Sequence, residues 1–182
     1  MEGGINAWNG LVATGAPDAG MAYFSDKDKP EEIIALAWAL EEGARRYYSG
    51  IGELVKDQRS KDLFKSLVAD EVRHKSMLIR LHKELSGDVD GSELPGALTS
   101  EELSEVMEGG MRINEALNWA EGKGIKEILD FSIAMEINSY DLYMKMERSI
   151  EGEDTKKIFT ALADEEKKHL DQLASLLNEE VQ

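Results

Sequence analysis

Two Glu-x-x-His motifs carry the residues of this chain best suited to chemistry: Glu71-x-x-His74 and Glu166-x-x-His169. A further glutamate stands thirty residues before each motif glutamate, Glu41 for the first and Glu136 for the second. The two sets share one register, because every matching pair is offset by 95 residues. Tyr48 and Tyr143, each seven residues after the upstream glutamate, obey the same offset. Carboxylates can bridge cations and imidazoles can cap them. Four glutamates and two histidines are therefore the donor set that a two-metal site needs, and oxygen with nitrogen donors suits iron, manganese or a mixed pair.

Such a site needs elements that bring the six residues together. Each lies in an apolar stripe of helical period. The first stripe runs Ile34, Ala37, Glu41, Ala44, Tyr48, Ile51, and the second Phe64, Leu67, Glu71, His74, Leu78, Leu81. The third runs Leu129, Ser132, Glu136, Tyr140, Tyr143, Glu147, and the fourth Phe159, Leu162, Glu166, His169, Leu173, Leu176. Steps of three and four place each set on one helix face. Asp26, Asp28 and Pro30, followed by Glu31 and Glu32, announce the first helix. Gly50 and Gly52, Gly87 and Gly152 are the expected stops. Helices one and two, and three and four, have short connections and should form antiparallel hairpins. The link from Gly87 to Gly124 is long enough for two short helices, one opening at a capping box of Thr99 with Glu102 and one covering roughly Arg112 to Glu121, anchored by Trp119. The expected fold is all-α: a four-helix bundle of two antiparallel hairpins joined by a long crossover containing short helices. It occupies residues 30–182, with 1–29 as an irregular, glycine-rich N-terminal extension.

Burial sharpens the chemical reading. Desolvating a carboxylate costs several kcal/mol, so glutamates are seldom buried without a partner. Four of them on core-facing stripes would repel one another unless protons or cations intervened, and two divalent ions supply that neutralisation. Other residues admit two readings. Tyr48 and Tyr143 fall almost two turns from Glu41 and Glu136, and are either ordinary core or groups acting on the ligands. Asp70 and Glu165 directly precede the motif glutamates. They are either solvated charges or acceptors for the outer ring N–H of the histidine on the opposite hairpin, Asp70 for His169 and Glu165 for His74. His82 has no partner at the 95-residue offset and is expected not to be a ligand. Trp38, Trp119, Met77, Met135, Met144 and Met146 read as packing.

Composition excludes several alternatives. The net charge of −16 argues against nucleic acid, whose phosphates attract basic surfaces. With no cysteine, the chain offers no disulfide, thiolate metal site or cysteine nucleophile. The longest apolar run, Ile33 to Leu40, is eight residues, too short to span a bilayer. No basic segment followed by an apolar core opens the chain, so the cytoplasm is the expected compartment.

The segments Glu41-Glu-Gly-Ala-Arg-Arg-Tyr-Tyr48, Ala69-Asp-Glu-Val-Arg-His74, Ala134-Met-Glu-Ile-Asn-Ser-Tyr140 and Ala163-Asp-Glu-Glu-Lys-Lys-His169 resemble the ferritin-like di-iron carboxylate superfamily, with the rubrerythrin type nearest. The resemblance covers about residues 30 to 180. It implies a non-haem site of two iron ions that reacts with peroxide or dioxygen, ligated by Glu41, Glu71, His74, Glu136, Glu166 and His169. Glu71 and Glu166 would bridge, and Glu41 and Glu136 would be terminal. It also implies a homodimer. Rubrerythrins carry a four-cysteine rubredoxin-like domain. This cysteine-free chain is therefore expected to draw electrons from an external donor, a rubredoxin-like protein or a reductase. They also carry an additional carboxylate near the third-helix ligand, where Ile133 and Ser139 stand here. The stretch Glu2-Gly-Gly-Ile-Asn-Ala-Trp-Asn-Gly10 resembles the closing segment of a rhodanese domain. The leading expectation is a di-iron peroxidase or ferroxidase-like oxidoreductase concerned with oxidative stress. The alternatives are a ferroxidase tied to iron storage or transfer, and a non-catalytic, metal-stabilised helical interaction module.

Overall fold

The computed structural model describes residues 30–86, 105–149 and 152–181. Among the described residues the chain forms α1 (Pro30–Leu54), α2 (Gln58–Ser86), a 3-10 turn (Glu108–Gly110), α3 (Ile113–Ala120), α4 (Ile125–Ser149) and α5 (Glu153–Val181). Helices α1 and α4 are both 25 residues long, and α2 and α5 both 29. Their boundaries obey the 95-residue offset at both ends: Pro30 matches Ile125, Leu54 matches Ser149, Gln58 matches Glu153 and Ser86 matches Val181. The repeat read from six residues thus extends to two whole hairpins.

Local chemistry accounts for the helix starts. Asp57 accepts the Ser60 N–H at 2.8 Å and caps α2. Its counterpart before α5 is Gly152, whose positive φ of 114° needs a residue without a Cβ. Glu127 reaches back to the Gly124 N–H at 3.1 Å and closes the first turn of α4. The α3 helix matches the expected segment to within one residue at each end. Trp119, at its C-terminal end, lies against Phe131 with ring centroids 4.8 Å apart. The expected capping box at Thr99 and Glu102, the stop at Gly87 and the signals at Asp26 and Asp28 lie outside the described residues.

One expectation needs correction. Gly50 and Gly52 do not stop α1, which runs on to Leu54. A Cβ on Gly50 would stand 2.6 Å from Leu117 Cδ2, so this glycine admits α3 against α1. One heptad earlier, Gly43 admits the crossover backbone itself: a Cβ there would stand 2.2 Å from the Val106 carbonyl oxygen. The crossover is pinned at that point into a tight loop, with an antiparallel bridge between Val106 and Arg112 and a Met107 N–H to Met111 O bond of 2.9 Å.

The apolar interior falls into two clusters. One gathers Tyr47, Tyr48, Ile51, Phe64, Leu67, Leu129 and Leu173 with α3 residues such as Ile113 and Ala116. The other gathers Ile34, Leu40, Leu78, Leu81, Leu142, Tyr143, Phe159 and Leu162. Both draw on all four long helices. Between them, near the middle of each helix, lies a buried polar layer.

Candidate metal centre

The polar layer consists of the residues singled out by spacing. Glu41, Glu71, His74, Glu136, Glu166 and His169 are all 0% exposed, which is decisive for groups that would otherwise be ionised in water. Glu41 and Glu136 occupy the twelfth position of α1 and α4, and Glu71 and Glu166 the fourteenth of α2 and α5. Each histidine, one turn further, turns Nδ1 toward the carboxylates. His74 Nδ1 lies 3.0 Å from Glu41, 3.2 Å from Glu71 and 3.4 Å from Glu166. His169 Nδ1 lies 3.3 Å from Glu136, 3.4 Å from Glu166 and 3.6 Å from Glu71. The two rings stack at 5.3 Å, inclined by 24°. Glu71 and Glu166 thus touch both histidines, whereas Glu41 contacts only His74 and Glu136 only His169 among these ion-pair contacts.

Spacing did not reveal a seventh member, Glu108. It arrives on the 3-10 turn of the crossover and is 1% exposed. Three overlapping groups have ligand atoms within 4.8 Å of one another and could hold a metal ion: Glu41, Glu71 and His74; Glu71, Glu136 and His169; and Glu41, Glu108 and Glu166. The positions one turn either side of Glu136 are indeed Ile133 and Ser139, yet an extra carboxylate enters from another part of the chain. The sequence signal that could have located it is Gly43, whose missing side chain lets the crossover approach α1 beside Glu41.

The electrostatics follow from crowding five carboxyl groups out of water. Burial works against ionised Glu41, but the His74 ring, with the hydrogen bonds to His74 and Tyr143, outweighs it and holds this carboxyl at about 2. Burial likewise opposes ionised Glu136, and His169 and then Tyr48 bring it below the usual range. For Glu71, Glu108 and Glu166, burial and the charge of the ionised neighbours act together and push the carboxyls well above it. Without cations, burial and mutual repulsion thus favour the protonated form of three of the five acids. Burial lowers His169, but Glu136 foremost raises it further, so its net shift is upward.

Both tyrosines act on this layer. The Tyr48 hydroxyl donates to Glu136 and the Tyr143 hydroxyl to Glu41. Burial first, then the adjacent carboxylates, push both phenols well above their ordinary value, so they remain proton donors. Tyr143 Oη also lies 3.0 Å from Glu108 Oε1. A phenol has one proton to give. The hydroxyl faces an oxygen of each acid and donates to one of them at a time.

The outer residues separate. Asp70, 8% exposed, lies 3.6 Å from His169 Nε2, just beyond hydrogen-bond length, and pairs with Arg73 at 2.7 Å. Glu165 does not reach the outer nitrogen of His74 within bonding distance. Lys168, one turn on, and Arg73, at 3.3 Å from the facing helix, engage its carboxylate. His82 is buried but joins none of the metal-holding groups.

Whether cations fit is answered by the atoms left over. Both oxygens of Glu71, both of Glu166, and Nε2 of His74 and of His169 are buried without a hydrogen-bond partner. Unmet buried acceptors are costly, and here four carboxylate oxygens converge between two imidazoles. Hard oxygen donors with imidazole nitrogens are the set that ions such as ferrous iron or manganese accept.

Fold and donor set together define a ferritin-like helical protein with buried carboxylate–histidine groups able to hold metal. The Rubrerythrin family profile matches residues 32–118 and 127–181, and the chain belongs to that family. Among solved structures, a hypothetical protein from Pyrococcus furiosus is similar in fold at 23% identity, with a TM-score of 0.61, covering 90% of this chain and 95% of that one. No curated protein matches. The family match begins at residue 32, so the rhodanese resemblance of residues 2–10 draws no support from it. No helix among the described residues is long and apolar enough to cross a membrane.

Proposed function

We propose that this protein is a non-haem di-iron carboxylate oxidoreductase of rubrerythrin type, reducing peroxide or dioxygen. The observation that carries the reading is the set of unpartnered buried oxygens on Glu71 and Glu166, flanked by two histidines that face them through Nδ1. Glu41 and His74 would hold one ion, Glu136 and His169 the other, with Glu71 and Glu166 shared between them. When bound, two ferrous ions supply one electron each, which is the two-electron demand of breaking an oxygen–oxygen bond.

The protein supplies the setting. The two apolar clusters on either side of the layer exclude bulk water. Tyr48 and Tyr143 fix Glu136 and Glu41 by hydrogen bonds, so these carboxylates keep their orientation. Reduction of hydrogen peroxide to two waters consumes two protons with the two electrons. Both protons are drawn from solvent. A surface pocket of about 280 Å³ bordered by Tyr48, Gly52, Lys61 and Lys65 offers a small oxidant its approach. The electrons that reset the site come from an external donor, a rubredoxin-like protein or a reductase, acting on a homodimer.

The test is a single turnover. Protein loaded anaerobically with ferrous iron is mixed with hydrogen peroxide, and peroxide loss and ferrous oxidation are followed together. One peroxide consumed per two ferrous ions, with little dioxygen needed, supports the reading. Ferrous ions that stay reduced in excess peroxide and in air overturn it.

A further inference from the structure

The two hairpins are equivalent by every measure of spacing, and Glu108 is what breaks that equivalence. It belongs to the crossover, and the residue 95 positions before it is Ala13, which offers no carboxylate. It lies in a group with Glu41 and Glu166, and it contacts Tyr143, the tyrosine that donates to Glu41. Tyr48, at the matching position, donates to Glu136, and no crossover carboxylate hydrogen-bonds to that tyrosine among the described residues.

Glu108 is also held there by construction. Gly43 leaves room for the backbone at Val106 and Met107, Met107 is fully buried, and the Val106–Arg112 bridge closes the loop beneath the 3-10 turn. A glutamate side chain is long and flexible enough to reach solvent from most loop positions. Here it is 1% exposed, and its carboxyl is spent on the polar layer. Both oxygens of its neighbour Glu166 are buried without a hydrogen-bond partner. The Glu41–Glu108–Glu166 group is therefore an inward-facing cluster with unmet acceptors, awaiting a positive charge.

We propose that Glu108 is a direct metal ligand, serving the ion held by Glu41 and His74 and making the two metal positions unequal. The proposal rests on the metal-centre reading above. Four glutamates balance two divalent ions; a fifth, placed to one side, adds negative charge and a ligand at that side alone. The first ion to enter the protein takes the Glu41 side, and the second takes the Glu136 side with lower affinity.

Anaerobic titration with cobalt(II), read by calorimetry and by visible absorption, tests this. Wild-type protein should take up two ions in resolved steps. Outer hydrogen-bond partners of metal ligands alone are worth roughly 10–100-fold in affinity, so losing a direct ligand in Glu108→Gln should weaken the tighter step by more than about tenfold, leaving the other within about twofold. Glu108→Asp keeps the charge but draws it back, and should weaken the same step less. It also carries the test if the glutamine variant does not fold. Wild type binding two ions, with a folded Glu108 variant showing both constants unchanged, overturns the role of Glu108 alone. Wild type that binds no cobalt(II) overturns the metal-centre reading with it.

Discussion

Gly43→Ala offers a sharp test of how the crossover is held, because two physical effects predict opposite signs. In a free helix interior, alanine is more stable than glycine by about 1 kcal/mol. In this protein the added Cβ would stand 2.2 Å from Val106 O, 2.6 Å from Met107 Cα and 2.9 Å from Met107 Cβ. Two of these are backbone atoms, which have no rotamer with which to yield. The crossover must lift by roughly 1 Å to restore ordinary contact, enough to disturb the seating of Val106 and Met107, now 5% and 0% exposed. Fully burying such side chains is worth about 1.5–3 kcal/mol each, and overpacking a close-packed contact costs about 1–3 kcal/mol. The clash wins, with a net loss of about 1–3 kcal/mol, or a melting temperature lower by roughly 2–12 °C in metal-free protein. Gly52→Ala is the control on the same helix. Its Cβ would meet only Phe64 Cβ at 3.9 Å, so the propensity gain stands and the melting temperature holds or rises. Differential scanning calorimetry of the two variants decides. Gly43→Ala at or above the wild-type melting temperature refutes the close approach of the crossover, and with it the placement of Glu108.

Other expectations follow from the same layer. Glu71, Glu108 and Glu166 have raised carboxyls, so the stability they give metal-free protein is complete below the ordinary 4.5 and is lost as pH rises. Each retained proton changes stability by on the order of 1.4 kcal/mol per pH unit. Glu41, held at about 2, acts oppositely, its contribution being lost as pH falls from 4.5 toward 2. Between pH 5 and 8 the melting temperature of metal-free protein should therefore fall. The increment produced by added metal should grow, since binding must displace those protons; a metal increment independent of pH would contradict this. Tyr143→Phe removes the hydroxyl donated to Glu41 and should cost metal-free protein about 1.5–3 kcal/mol in chemical denaturation, the range for a hydrogen bond to a charged group. No loss would mean Glu41 is satisfied without it. Asp70→Asn, beside His169 Nε2, should weaken metal binding at the Glu136 side roughly tenfold. Glu165→Gln should not, because Glu165 is engaged by Lys168 and Arg73; equal effects would contradict the distinction.

The bundle and its layer were legible because helices convert spacing into position. A polar residue that recurs on an apolar stripe at steps of three and four must face inward, and the matching of Glu41 with Glu136 and Glu71 with Glu166 already implied two related hairpins. The 95-residue identity of the helix boundaries is the structural form of that arithmetic. Glu108 was not legible in the same way. It sits on an irregular connection with no period, among several glutamates of like local context, and only the close approach at Gly43 selects it. Gly50 is ambiguous in sequence for a related reason. A glycine near a helix end carries the same local signal whether it terminates the helix or makes room for a neighbour, and here Leu117 comes from beyond the hairpin. Asp70 and Glu165 directly precede equivalent glutamates and each pairs with the base three residues on, Arg73 and Lys168, but Arg73 also reaches across to Glu165 while Asp70 lies beside His169 Nε2, so the two acids part company.

The central claim is that the buried layer holds two metal ions between the hairpins. Crystals of the protein loaded anaerobically with ferrous iron, measured at the iron absorption edge, test it most directly. Two anomalous peaks are expected, one between Glu41 and His74 and one between Glu136 and His169, with Glu71 and Glu166 reaching both. A layer without a peak in iron-loaded crystals, its carboxyls hydrogen-bonded to one another, would contradict it.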